Sequence, residues 1–352
     1  MVHAVLRFYF RLRRLGGILI VQTPSSRGRF ALDMDRKNAK GESMRFAAID
    51  IGTVTCRLLI ADVCEGELTE FHRSCAITNL GQDVDANGYL LDSAMQRVDS
   101  QIACFMETIE ASSGPENPVK IVAMATSASR DASNSADFVA MLERRGVYLS
   151  VIPGEKEASL SFAGASSDFA GENILVADVG GGSTELIAGI GGGEPIAKHS
   201  FNIGCRRVTE RFLKSDPPTE GQLASAIGWF EPQFRSFFEE LGAQGFRPER
   251  IVAVAGTATS MISIDKAMET YDSSQVHGAR MSAERLSEIS GELAALDNAQ
   301  RCQVVGLQSG RAPVIVAGTI ILGSILECAG LDSFTASEHD ILHGMIMDAA
   351  RR

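Results

Sequence analysis

From residue 45 the chain reads as short apolar runs punctuated by glycine and polar turns, with amphipathic stretches between them. FAAIDIG (46–52) is an apolar run ending on Asp50 and Gly52. CRLLIADVC (56–64) alternates well enough for a second strand, which GELTEFHRSCAITNL (66–80) continues. Met95, Val98, Ile102, Phe105 and Ile109 recur at helical spacing and predict a helix over 92–112. KIVAMAT (120–126), a helix near 136–145 and YLSVIPG (148–154) follow. Strands alternating with helices predict an α/β fold with a largely parallel sheet.

The polar segment SSDFAGEN (166–173) separates this half from the next, and the domain join is placed there, giving 44–168 and 169–352. ILVADVGGGSTELIAGI (174–190) then reads as strand, glycine turn and strand. HSFNIGCRRVTERFL (199–213) leads into a helix, and PPTEGQL (217–223) opens another with proline and threonine at its start. RIVAVAG (250–256) is a strand feeding the helix TATSMISIDKAM (257–268). APVIVAGTIILGSILECAG (312–330) is a helix-rich return with a glycine stop.

Composition places limits on this picture. The 352 residues carry 33 basic and 44 acidic side chains, a net charge of −11, which argues against nonspecific nucleic-acid binding. The charge is uneven: residues 1–43 hold nine Lys/Arg and three Asp/Glu, a balance of +6, leaving −17 for the remainder. No apolar run reaches the ~18 residues of a spanning helix, so no membrane partner is expected. The N-terminal stretch reads as an unstructured leader or as sequence ahead of a true start at Met44. Seven cysteines form no CxxC pair and read as buried hydrophobes in a reducing, cytoplasmic compartment.

One internal repeat carries chemistry. DIGTVTCRLLIADV (50–63) and DVGGGSTELIAGI (178–190) share a plan 128 residues apart: Asp at a strand end, then Gly, then small or hydroxyl residues, then a strand. Such a turn exposes backbone N–H groups on one concave side and binds anions, with Thr53, Thr55, Ser183 and Thr184 adding donors. Gly52, Gly180, Gly181 and Gly182 let an anion approach the backbone. Asp50 and Asp178 suit Mg²⁺, which takes carboxylate and phosphate oxygens together. Neither a P-loop nor a dinucleotide-binding loop fits, because no GxxxxGK[ST] occurs and a strand follows the glycines. Gly256 with Thr257 or Thr259 forms a weaker third glycine site at a helix start.

Glu155 and Glu157, where a strand yields to a helix, are equal candidates for activating water on chemistry alone. Glu185 returns toward Asp178. Arg57, Arg130 and Arg207 are the cations available to a polyanion, with a plain salt-bridge role as the alternative. His339 and His343, four apart, read as surface histidines.

The chain resembles the Ppx/GppA phosphatases, exopolyphosphatases and guanosine-pentaphosphate phosphohydrolases of the actin, sugar-kinase and Hsp70-type superfamily. The matching pieces are AAIDIGTVTCRLLIADV, ATSASRDA, IPGEKEASLSF, ADVGGGSTELI, FNIGCRRVTERFL, VAGTATS and TASEHDILHGMI, in the family's order from 44 to 352. The resemblance implies two actin-like (ribonuclease H-like) domains with an active-site cleft between them, in the short two-domain form. It implies Glu157 as general base, Asp178 and Glu185 as metal or water ligands beside the Asp50 nominated above, and Mg²⁺ (or Mn²⁺) as cofactor. The implied substrate is inorganic polyphosphate or, alternatively, guanosine pentaphosphate (pppGpp), and a homodimer is a further expectation. A small-molecule kinase and a non-catalytic nucleotide sensor are the competing readings. Two departures stand out. Val54 replaces the family's usual Asn, so the first hairpin is expected to hold phosphate less tightly. SEHDILHG replaces an Arg-rich C-terminal motif.

Overall fold

The computed structural model describes residues 43–115 and 117–352, so the basic leader lies outside the described residues apart from its last position. The first half contains β1 (Met44–Ile51), β2 (Thr55–Cys64), β3 (Glu67–Ile77), α1 (Asp92–Ala111), β4 (Lys120–Ala125), α2 (Ser135–Glu143), β5 (Leu149–Val151) and α3 (Gly154–Ala165). The second contains β6 (Asn173–Val179), β7 (Thr184–Ile190), β8 (Pro195–Phe201), α4 (Cys205–Phe212), α5 (Glu220–Ala243), β9 (Arg250–Val254) and α6 (Ala255–Asp265). Then come β10 (Arg280–Ser282), α7 (Ala283–Ala295), α8 (Ile315–Ala329), β11 (Ser333–Ala336) and α9 (Ile341–Ala350). The expected α/β class is what the chain adopts, with one sheet in each half.

The strand orders are β3-β2-β1-β4-β5 and β10-β11-β9-β6-β7-β8. Both sheets are mixed, which corrects the largely parallel expectation. β1-β2-β3 and β6-β7-β8 pair antiparallel, while β4, β5, β9 and β11 add in parallel. The short glycine turns dictate this, since a tight turn joins only antiparallel strands and a parallel partner needs a crossover.

Helix placement follows local chemistry. In α1, Met95, Val98, Ile102, Phe105 and Ile109 form the buried stripe. Thr219 caps α5 and accepts from the Gln222 N–H, whose side chain returns the bond in a capping box. α8 is apolar almost all round and lies inside the second half, ending at Gly330 with φ 68°.

Two helices join the halves. Ala158, Phe162 and Ala165 of α3 pack on Ile174, Val176, Ile187 and Val252 of the second sheet. Ile341, Leu342, Met345 and Ile346 of α9 pack on Phe46, Ala48, Leu59 and Ala61 of the first. α3 and α9 meet at two glycines: a Cβ on Gly164 would stand 1.9 Å from Asp340 O, and one on Gly344 would stand 2.0 Å from Leu160 O. This backbone-to-backbone approach sets the two helices antiparallel, with Gly164 against the start of α9 and Lys156 Nζ 3.0 Å from Asp348 Oδ1 near its end. No described helix is long and apolar enough to cross a membrane.

Candidate active site

The two related hairpins close in the same way. Gly52 N–H donates to Thr55 O at 2.9 Å, and Gly180 N–H donates to Ser183 O at 3.0 Å. Their strand pairings correspond as well: Asp50 lies opposite Arg57, and Asp178 opposite Glu185. Alternation along β1 and β2 puts Asp50 and Arg57 on the face that α9 covers. Alternation along β6 and β7 puts Asp178 and Glu185 on the face that α3 covers. The turns touch, and a Cβ on Gly181 would lie 2.6 Å from Val54 Cγ2 and 2.9 Å from Thr53 Cβ. Val54 is therefore a buried filler between hairpins, packed with the second half's core.

Between the hairpins lies a cleft of about 70 Å³. Of the residues the sequence nominated, Asp50, Gly52, Thr53, Thr55, Arg57, Glu157 and Asp178 line it, together with Gly180, Gly181, Gly182 and Ser183. Gly256 and Thr257 line it too. Glu185 does not; it sits behind Asp178, 1% exposed, accepting from Ser200 Oγ at 2.6 Å. Thr184 does not line it either. Its side chain has the opposite strand parity to Glu185, and its buried hydroxyl has no hydrogen-bond partner.

The carboxylates are perturbed. Glu157 is 8% exposed, so it is not a solvated helix-start charge, unlike the exposed Glu155. Burial, with Asp178's negative charge adding, pushes the Glu157 carboxyl up to about 8, against the pull of Arg130. Arg130 Nη1 donates to Glu157 Oε2 at 3.2 Å and to Ile152 O at 3.1 Å, fixing the carboxylate from within the first half. Burial also pushes Asp178 up to about 6, against Arg57 and a 2.7 Å bond from Ser161 Oγ. Glu185 is raised by burial and by the charges of Glu157 and Asp178. Asp50 is raised by burial, with Arg57 opposing.

The arginines differ in availability. Arg57 donates to Asp50 through Nε (2.9 Å) and Nη2 (2.7 Å), and through Nη1 to Asp340, the N-cap of α9. Asp340 is pulled low by Arg57 and Arg73 in spite of its burial. Arg207 donates to Gly182 O at 2.9 Å, to Asp131 Oδ2 at 2.5 Å and to Asp85, so it clamps the second hairpin to the first half. Sequence motifs flagged neither Asp340 nor Ser161; a D-x-x-H start of an apolar helix was the available sign of the capping Asp340.

The histidines are not plain surface residues. His343 is buried, and its ring lies 4.3 Å from that of His339, which lies 4.4 Å from that of His277. His339 Nδ1 meets Asp168 Oδ2 at 2.7 Å, and His343 Nε2 meets Glu70 Oε1 at 2.9 Å. Among the described residues, the metal-type trios whose ligand atoms all approach within 4.8 Å are found here, as Glu70/His339/His343 and Asp168/His277/His339. Backbone N–H groups of Glu338 and Asp340 donate to Nδ1 of His277 and His343, so each carries its ring proton on Nε2, the nitrogen facing the carboxylate. With that tautomer His343 donates to Glu70 and His277 points its Nε2–H toward Asp168, and ring contacts alone join the two sets. Asp50, Asp178 and Glu185 form no such trio. Asp50 is paired with Arg57, whereas the oxygens of Asp178 and Glu185, which have no arginine partner, fit a hard divalent cation held by one or two carboxylates and completed by substrate phosphate.

The Ppx/GppA phosphatase family's sequence model matches residues 59–352. The chain is 36% identical over 326 residues to Exopolyphosphatase 2 of Mycobacterium tuberculosis, covering 87% of this chain and 98% of that protein. It is 28% identical over 303 residues to the guanosine-5'-triphosphate,3'-diphosphate pyrophosphatase of Aeromonas hydrophila, covering 86% of this chain and 58% of that one. The crystal structure of an exopolyphosphatase-like protein superposes with a TM-score of 0.79 at 34% identity, covering 88% of this chain and 99% of that one. With its paired glycine hairpins and its match over five-sixths of its length, the chain belongs to the Ppx/GppA phosphatase family.

Proposed function

We propose that this chain hydrolyses the terminal phosphoanhydride bond of inorganic polyphosphate, with Mg²⁺ as cofactor and Glu157 as the base that activates water. As a family member it is a hydrolase of phosphoanhydride bonds. The observation that carries the finer reading is Glu157: a carboxyl raised to about 8, lining the cleft between two phosphate-type hairpins. A base works best when its pKa lies near the operating pH.

The terminal phosphoryl group sits against the N–H groups of the Gly52–Thr55 and Gly180–Ser183 turns, which meet developing negative charge without reorganising. Glu157, oriented by Arg130, accepts the proton of a water aligned with the terminal phosphorus. The water oxygen bonds to phosphorus as the bridging P–O bond breaks, releasing orthophosphate and a chain one unit shorter. The proton then leaves Glu157 for solvent. Asp178, with Glu185 behind it, would hold the metal, which when bound neutralises phosphate charge. The small cleft accepts little beyond a terminal phosphoryl group, which favours action from chain ends.

The Aeromonas relative supports a second substrate, pppGpp, through the same apparatus. Phosphate release from polyphosphate and from pppGpp, with Mg²⁺ and with a chelator, separates these readings. Glu157→Gln is expected to lower kcat by about 10²–10⁴-fold, the range for loss of a general base. Wild-type turnover by that variant overturns the assignment, and turnover undiminished by the chelator overturns the metal.

A further inference from the structure

Helix α3 buries two polar side chains one turn apart, Glu157 and Ser161. Glu157 lines the cleft; Ser161 is fully buried and does not. A serine inside a helix commonly returns its hydroxyl to the carbonyl four residues back. Ser159 of the same helix does so, donating to Glu155 O at 2.9 Å. Ser161 instead crosses to the second half and donates to Asp178 Oδ2 at 2.7 Å, a bond between two buried groups. Asp178 lines the cleft, and its Oδ1 accepts no hydrogen bond among the described residues.

The kind of donor matters here. Asp50, the equivalent residue of the first hairpin, is bonded through two nitrogens of Arg57, whose positive charge offsets its own. A hydroxyl fixes one carboxylate oxygen and adds no charge, so Asp178 keeps its attraction for a cation. Glu185 is held in the same manner, by Ser200 Oγ on Oε1 at 2.6 Å. Carboxylates that ligate metals are themselves held by hydrogen bonds, which orient them toward the ion.

We propose that Ser161 is a positioning residue of the metal site, its hydroxyl holding Oδ2 of Asp178 and leaving Oδ1 for Mg²⁺. Glu157 stands one turn earlier on the same helix, so this bond also sets the base against the carboxylate that takes the ion. The two groups come from different halves of the chain, and α3 registers them. The proposal rests on the Mg²⁺ reading above and extends it to a residue that does not line the cleft.

The test measures Mg²⁺ binding to the full chain by calorimetry and Mn²⁺ binding by electron paramagnetic resonance, both with inorganic phosphate present. Ser161→Ala is expected to weaken cation affinity by about 10–100-fold, the usual cost of removing a partner from a metal ligand. The Mg²⁺ concentration giving half-maximal phosphate release from polyphosphate should rise by the same factor, while kcat at saturating Mg²⁺ changes little. A purely structural loss would lower kcat or Tm and leave the Mg²⁺ dependence in place, and that result overturns the proposal. Ser161→Cys, close in volume but a weak donor, carries the test if Ser161→Ala does not fold. Ser159→Ala removes the neighbouring hydroxyl and should leave cation affinity unchanged; an equal loss in both variants also overturns the proposal. Unchanged affinity in the Ser161 variant, with wild type binding the cation, overturns it and leaves the Mg²⁺ reading standing. A wild type that binds neither cation overturns the Mg²⁺ reading and this proposal with it.

Discussion

Replacing Glu157 by glutamine should stabilise the metal-free protein at alkaline pH while abolishing turnover. Its carboxyl is raised from an ordinary 4.5 to about 8. That displacement, at about 1.36 kcal/mol per pH unit, sets a ceiling of about 5 kcal/mol on the cost of ionising it in the folded state. The sign follows from proton counts. A carboxyl raised on folding holds its proton more tightly in the native state, so its contribution is fully present below 4.5 and is lost as pH rises through about 8. Glutamine is neutral throughout and keeps an oxygen for Arg130, though it deprives that arginine of its counter-charge. A net gain of about 2–4 kcal/mol at pH 9 is expected. At about 2 °C per kcal/mol for a chain of this size, Tm rises by about 4–8 °C. At pH 5 native Glu157 still carries its proton, and the gap should shrink to ~1 kcal/mol or less. Thermal unfolding of both proteins with a chelator, at pH 5 and pH 9, is the measurement. An equal gap at the two pH values, or a variant less stable at pH 9, would refute the reasoning.

Two further substitutions test the geometry. Gly344→Ala drives a methyl into Leu160 O at the α3–α9 crossing and should cost about 1–3 kcal/mol by urea unfolding; an unchanged midpoint would show that the helices are not pressed together there. Thr184→Val removes a buried hydroxyl without a partner on the face away from Glu185; stability should hold or rise and kcat/KM stay within about twofold, whereas a tenfold loss would return Thr184 to the phosphate site.

The hairpins were legible in the sequence because their demands are local: glycine, small hydroxyl residues and a strand-end Asp announce a turn wherever it folds. The 128-residue offset that relates Asp50 to Asp178 also relates Gly52 to Gly180, Thr55 to Ser183 and Arg57 to Glu185, and all four pairs hold equivalent places. The mixed sheets were implicit in those same turns, yet the alternation of strands and helices concealed them. What no local pattern reveals is a contact made across the fold. Asp340 reaches Arg57 over 283 positions. The histidine stack gathers residues from 277 and 339–343 against carboxylates at 70 and 168. Ser161, one turn beyond Glu157, acquires meaning only when Asp178 lies against it.

The difference between the two hairpins decides where a cation belongs. Across from Asp50 stands Arg57, which neutralises it. Across from Asp178 stands Glu185, which doubles the charge, and Glu157 adds a third carboxyl from α3. Burial makes this costly, and the raised pKa values of all three express the cost. One turn of the repeat is thus internally compensated and the other is not. A divalent ion bound beside Asp178 would lower all three pKa values together and return Glu157 toward its basic form at neutral pH. Of the three carboxylates nominated for a metal, Asp178 and Glu185 carry the electrostatic demand. Asp50 is tied to Arg57, which also holds Asp340 at the start of α9.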